Sequence, residues 1–100
     1  MQVFMYIFQG KYSGKAEYEY KNPEVGAVHK CLIFISQESE HEQYEFAETE
    51  IMKYGFCEIE NMKGNLLQVE ALNMPAYRNF SGFYEEALNE GSCLVYYPNT

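Results

Sequence analysis

Apolar and polar positions alternate along this chain in blocks that change period, and the blocks set the elements. Val3–Phe8 is a continuous apolar run rich in β-forming residues, as a buried strand requires. Gly10 and Ser13-Gly14 mark a turn. Ala16-Glu17-Tyr18-Glu19-Tyr20 then alternates strictly, which predicts a second, half-exposed strand. Asn22-Pro23-Glu24 and Gly26 break it. Val28–Ser36 is the next strand. Its segment Cys31-Leu32-Ile33-Phe34-Ile35 is apolar on both faces, so this strand belongs in the middle of a sheet.

The period then lengthens. Ser39-x-x-Glu42 reads as a capping box, and Gly55 suits the residue just past a helix end. In the helix between them, Tyr44, Ala47, Ile51 and Tyr54 share a narrow arc, with Met52 at its margin. Glu38, Glu42, Glu45 and Glu50 occupy the remaining circumference. Phe46 does not fit the arc; it projects with Glu42, Glu50 and Lys53. Phe56–Glu60 and Leu66–Leu72 alternate again around Asn61-Met62-Lys63-Gly64-Asn65, a hairpin pattern. Pro75 suits a helix's first turn, and Ala76, Phe80, Phe83, Tyr84, Ala87 and Leu88 form a helical stripe closed by Gly91. Gly82 weakens that helix by about 1 kcal/mol relative to Ala, so its first turn is expected to be separate. Cys93–Tyr97 is a last strand before Pro98.

The expected fold is α+β. From residue 28 the order is β-α-β-β-α-β, the ferredoxin-like order, preceded by two N-terminal strands. Right-handed crossovers place both helices on one face of an antiparallel sheet. One hundred residues without a linker or a repeat make one domain, 1–100.

Charge narrows the function classes. Seven bases face fifteen acids, for a formal net charge of −8, and every acid is a glutamate. Arg78 is the one arginine. A nucleic-acid binder needs a basic footprint, so no nucleic-acid partner is expected. The sheet also lacks the aromatic and basic platform of an RNA-recognition sheet. The plain alternative is that glutamate keeps a tyrosine-rich protein in solution. Ten Tyr and seven Phe supply ample core. Cys31, Cys57 and Cys93 are odd in number and match no zinc or redox spacing, and they read as small hydrophobes in a reducing compartment. No run approaches the roughly 20 apolar residues of a membrane span, and the short apolar start lacks a basic flank. A cytoplasmic location with no membrane partner is the expectation.

Chemistry-bearing pairs are few. His29-x-Cys31 and the His41/Glu45 pair each lack a third metal ligand, so no metal or other cofactor is expected. Gly10-x-x-x-Gly14 lacks the Lys-Ser/Thr ending of a phosphate loop. No nucleophile motif is present, and the chain carries no signature of catalysis. Glu58, Glu60 and Glu70 are expected to share one wet sheet face. Phe46 among glutamates has the form of an interface anchor with a polar rim. The Glu17/Glu19 face and Tyr96-Tyr97 are weaker candidates of the same kind.

These features point to a stand-alone acidic module that docks onto a basic protein, of the inhibitor or immunity type that neutralises a basic toxin or nuclease. Its binding residues are Glu38, Glu42, Phe46 and Glu50 on the helix, or Glu58, Glu60 and Glu70 on the sheet. A different class stays open: a dimeric ferredoxin-like domain that binds or converts a small apolar ligand, with His29 or His41 as its polar group. Both a monomer and a homodimer are compatible with the sequence.

Overall fold

The computed structural model describes residues 2–15, 24–39, 41–68, 70, 73–74 and 80–97. Strands β1 (Gln2–Tyr12) and β2 (Val28–Gln37) are followed by helix α1 (Tyr44–Lys53) and strand β3 (Phe56–Leu67). Helix α2 (Ser81–Glu90) and strand β4 (Ser92–Tyr97) complete the order. The four strands form one sheet in the order β3-β1-β2-β4, and every neighbouring pair is antiparallel. The expected strand over Ala16–Tyr20 lies outside the described residues, as do Pro75 and Ala76. Among the described residues, no helix is long and apolar enough to cross a membrane.

Among the described residues the architecture is α+β, a four-stranded antiparallel sheet with two helices packed on it. The helices sit on opposite faces, which corrects the expectation of one shared face. The sheet's pleat sends alternate side chains to opposite sides, so the two sets of core residues identify the two faces. Phe4, Tyr6 and Phe8 of β1 pack with Cys31, Ile33 and Ile35 of β2 beneath Ala47 and Ile51 of α1. Val3, Leu32, Phe34 and Cys93 point the other way, beneath Ala87 of α2 with Phe80, Phe83 and Tyr84 beside it. Phe34 packs against the rings of both Phe80 and Phe83, with centroids at 5.5 and 5.6 Å. The apolar segment Cys31–Ile35 is buried throughout because a helix covers each of its faces.

A second correction explains the first. The expected hairpin over Phe56–Leu72 is one long strand, β3, ending at Leu67. From residue 28 the order is thus β-α-β-α-β, which matches the ferredoxin-like order only in part. The turn-forming residues in its middle are absorbed as irregularities. Glu58 and Asn61 take positive φ values of 49° and 56°, and the pairing with β1 slips between Ile7 and Lys11. Because β3 does not double back, the chain leaves the sheet at the end beside Val3, where Leu67 pairs. α1 already occupies the first face, so α2 returns across the second.

The helix ends follow local chemistry in part. Gly55 and Gly91 have positive φ, 97° and 94°, and close α1 and α2 as expected. The expected capping box does not form: the residue before α1 is Gln43, with no side-chain cap. Ser39 instead makes a local turn, its Oγ accepting from the His41 amide at 3.0 Å.

Candidate functional site

The start of α1 is held by a residue far away in sequence. The Tyr6 ring is fully buried beneath the helix. Its hydroxyl accepts a hydrogen bond from the Gln43 amide at 2.9 Å and donates one to Gln37 Oε1 at 2.9 Å. Gln37 Nε2 in turn donates to the carbonyls of Ser39 and His41 at 3.2 and 2.9 Å. One phenol therefore ties β1 to the end of β2, to the connecting turn, and to the first turn of α1. Burial raises the Tyr6 pKa against the opposing pull of the Gln43 hydrogen bond, and the nearby Glu42 carboxylate raises it further. β3 must pass close to this ring. A Cβ on Gly64 would lie 2.7 Å from the Tyr6 ring and 2.9 Å from the Glu42 side chain, so only glycine fits without displacement.

This anchored turn forms one wall of a shallow surface groove of about 360 Å³. Ser36, Gln37, Glu38 and Ser39 line it on one side, with Gln43 and Phe46 on the other. Phe46 is 45% exposed. Glu38, Glu42 and Glu45 are exposed, and none of them makes an ion pair among the described residues. Glu38 and Phe46 thus share the groove that the fixed β2–α1 connection creates, while Glu42, in the same connection, has its side chain beside Gly64 of β3.

Glu50 is placed differently. Its side chain is only 12% exposed and is engaged on both oxygens. Oε1 accepts from Lys53 Nζ at 3.2 Å, and Oε2 accepts from Ser92 Oγ at 3.1 Å. Ser92 and the Tyr54 hydroxyl lie 3.0 Å apart. The serine proton is directed to the carboxylate, so tyrosine is the donor there. This chain of bonds pins the end of α1 to β4 and withdraws Glu50 from the acidic surface.

The sheet glutamates do not form one group. Glu58 and Glu60 are exposed near one end of β3, and Glu58 pairs with Lys11 Nζ at 3.4 Å. Glu70 lies beyond the opposite end of β3, beside a groove of about 420 Å³ that includes Met5, Leu66 and Met74. The shared face expected for Glu58, Glu60 and Glu70 depended on the hairpin and is absent. Glu17 and Glu19 lie outside the described residues. Tyr97 is 42% exposed, whereas Tyr96 packs against His29 with ring centroids 5.3 Å apart.

The two histidines part company as well. His41 is exposed on the β2–α1 connection. His29 is buried, and its Nδ1 has no hydrogen-bond partner among the described residues. Among the described residues, no three histidine, cysteine or acidic side chains converge as metal ligands would. The Cys31 and Cys93 thiols are pushed up to about 12 by burial, with the Glu86 carboxylate adding to the effect at Cys93. What sequence reading missed is the Tyr6–Gln37 node that shapes the groove. Tyr6 in an apolar strand was its one visible sign, a hydroxyl that must find a partner when buried. In comparisons with known proteins, no family model, no curated protein and no solved structure matches this chain.

Proposed function

We propose that this chain is an acidic binding module that docks the α1 groove onto a basic protein, in the manner of an inhibitor or immunity-type protein acting on a basic toxin or nuclease. The carrying observation is Phe46, 45% exposed in a groove that Glu38 also lines, with Glu42 and Glu45 exposed on the adjoining connection and first turn of α1. A large apolar side chain within a charged rim fits the anatomy of an interface anchor. The groove wall is fixed in advance by the Tyr6 and Gln37 hydrogen bonds, which lowers the ordering cost of binding. A net charge of −8 accelerates encounter with a basic partner and selects against acidic ones. Within this reading the binding residues are Glu38, Glu42 and Phe46. Glu50 serves to hold α1 in place.

The test is capture from native lysate with the full chain and with its Phe46→Ala variant, at low and then moderate salt. The proposal expects one basic protein on the wild-type chain, released as salt rises and lost with the variant. Equal capture by both chains, or recovery of acidic proteins only, refutes it.

A further inference from the structure

The hydrogen bonds of the groove beside Phe46 are unevenly engaged. Ser36, Gln37, Glu38, Ser39, Gln43 and Phe46 line it, and of these Phe46 alone is apolar. Several of its donors already have partners inside the protein. Gln37 Nε2 donates to the Ser39 and His41 carbonyls, and the Gln43 backbone amide donates to the Tyr6 hydroxyl. The Ser36 amide donates to the Gly91 carbonyl at 2.9 Å, and Ser39 Oγ donates to the His41 carbonyl at 3.3 Å. Glu38 is the opposite case. Its carboxylate makes no ion pair among the described residues, where Lys11 and Lys53 engage Glu58 and Glu50 instead.

A carboxylate acceptor beside an exposed ring, with the neighbouring donors engaged, selects among ligands. An anion would meet Glu38 with few donors to hold it. A neutral apolar group would desolvate Glu38 in return for contact with one ring. A cation rich in N–H donors suits both walls. Arginine is the side chain that meets them at once: its guanidinium is flat, carries five donors in one plane and is weakly hydrated. One of its faces can lie on the Phe46 ring while its in-plane bonds reach the Glu38 carboxylate. The ammonium of lysine is compact and strongly hydrated, so contact with the ring competes with its water shell.

We infer, resting on the docking reading above, that the group this groove takes from a basic protein is an arginine side chain, stacked on Phe46 and paired with Glu38. The division of labour between the two residues is definite. Glu38 supplies charge, which arginine and lysine satisfy alike, and the exposed Glu42 and Glu45 add attraction at longer range with the same indifference. Phe46 supplies the flat apolar surface that separates a guanidinium from an ammonium. The wall beneath them is set before binding by the Gln37 and Tyr6 hydrogen bonds, so a single side chain finds the site already shaped.

Amide shifts of the full chain, titrated at fixed ionic strength with acetyl-Gly-Arg-Gly-amide and separately with acetyl-Gly-Lys-Gly-amide, test this. The arginine peptide should move Gln37, Glu38 and Phe46 with a dissociation constant on the order of 10 mM, and the lysine peptide should bind about fivefold more weakly. Phe46→Leu keeps an apolar side chain and removes the ring, so it should erase the preference between the two peptides. Glu38→Gln should weaken the arginine peptide about tenfold, while Glu58→Gln on β3 should leave it unchanged. Equal affinity for the two peptides overturns the inference. So do shifts spread over the glutamates of α1 and β3 alike, a preference that survives Phe46→Leu, or no shift up to saturating peptide. The docking reading fails separately: capture of a basic protein through Phe46 with equal binding of both peptides removes arginine alone, whereas arginine-selective binding with no basic protein captured removes the docking reading and keeps the side-chain site.

Discussion

Replacing Tyr6 by Phe removes a single oxygen and keeps the ring, which isolates the node that shapes the candidate groove. The hydroxyl makes two hydrogen bonds, each 2.9 Å, one to Gln37 Oε1 and one from the Gln43 amide. Each contributes about 0.5–1.5 kcal/mol net. The loss also strands the Gln37 acceptor, which is only 4% exposed, whereas the Gln43 amide lies at an exposed helix start that water reaches. The sum is a destabilisation of about 2–3 kcal/mol, or a fall in melting temperature of roughly 10–20 °C for a domain of this size. Urea unfolding followed by circular dichroism measures the free energy, and thermal melting the shift. Gln37→Leu alone should also destabilise, because its Nε2 bonds to Ser39 and His41 are lost too. The double variant should fall short of the sum of the singles by about 1 kcal/mol, since the two residues share one hydrogen bond. A loss below about 0.5 kcal/mol for Tyr6→Phe, or strict additivity, refutes the claim that this phenol organises the start of α1.

Other consequences are open to measurement. Gly64→Ala should cost about 1–3 kcal/mol, because its Cβ meets the Tyr6 ring at 2.7 Å. Gly82→Ala, with nothing within 4 Å and a helical position in α2, should instead stabilise by about 0.5–1 kcal/mol in the same denaturation assay. Alkylation at neutral pH should label half-buried Cys57 first and leave Cys31 and Cys93 protected, as read by peptide mass. Those two thiols ionise at about 12 in the folded chain, above their ordinary value of 9.0, so the folded state holds its protons longer than the unfolded one. Stability should therefore be intact below about pH 9 and decline from there toward pH 12, with Tyr6 adding to the decline above pH 10. Cys31→Val should flatten part of that slope.

Much of this fold was legible in local pattern. The apolar run of β1, the positions of β2 and β4, and the buried arc of α1 at Ala47, Ile51 and Tyr54 follow the periods in the sequence. Tyr44 is the exception on that arc, 45% exposed with its hydroxyl accepting from the Gly64 amide. The break at Asn61–Asn65 misled because turn-forming residues also suit bulges, and Gly64 answers to the Tyr6 ring across the sheet rather than to a reversal of the chain. The all-apolar segment Cys31–Ile35 already held the signal for a helix on each face, since a one-sided sheet leaves alternate residues wet. Of the candidate site, Phe46, Glu38 and Glu42 could be picked out by their misfit with the buried arc. Glu50 could not be separated from them, because its partner Ser92 is remote in sequence.

The central claim is that the α1 groove, and not acidity in general, recognises a basic protein. Its most direct test compares two charge reversals of equal size, Glu38→Lys with Glu42→Lys and Glu58→Lys with Glu60→Lys, by the association rate with the captured partner at two salt concentrations. The account predicts that the groove pair slows association strongly and flattens its salt dependence, while the β3 pair has a small effect. Equal slowing by both pairs, or no slowing by the groove pair, contradicts it.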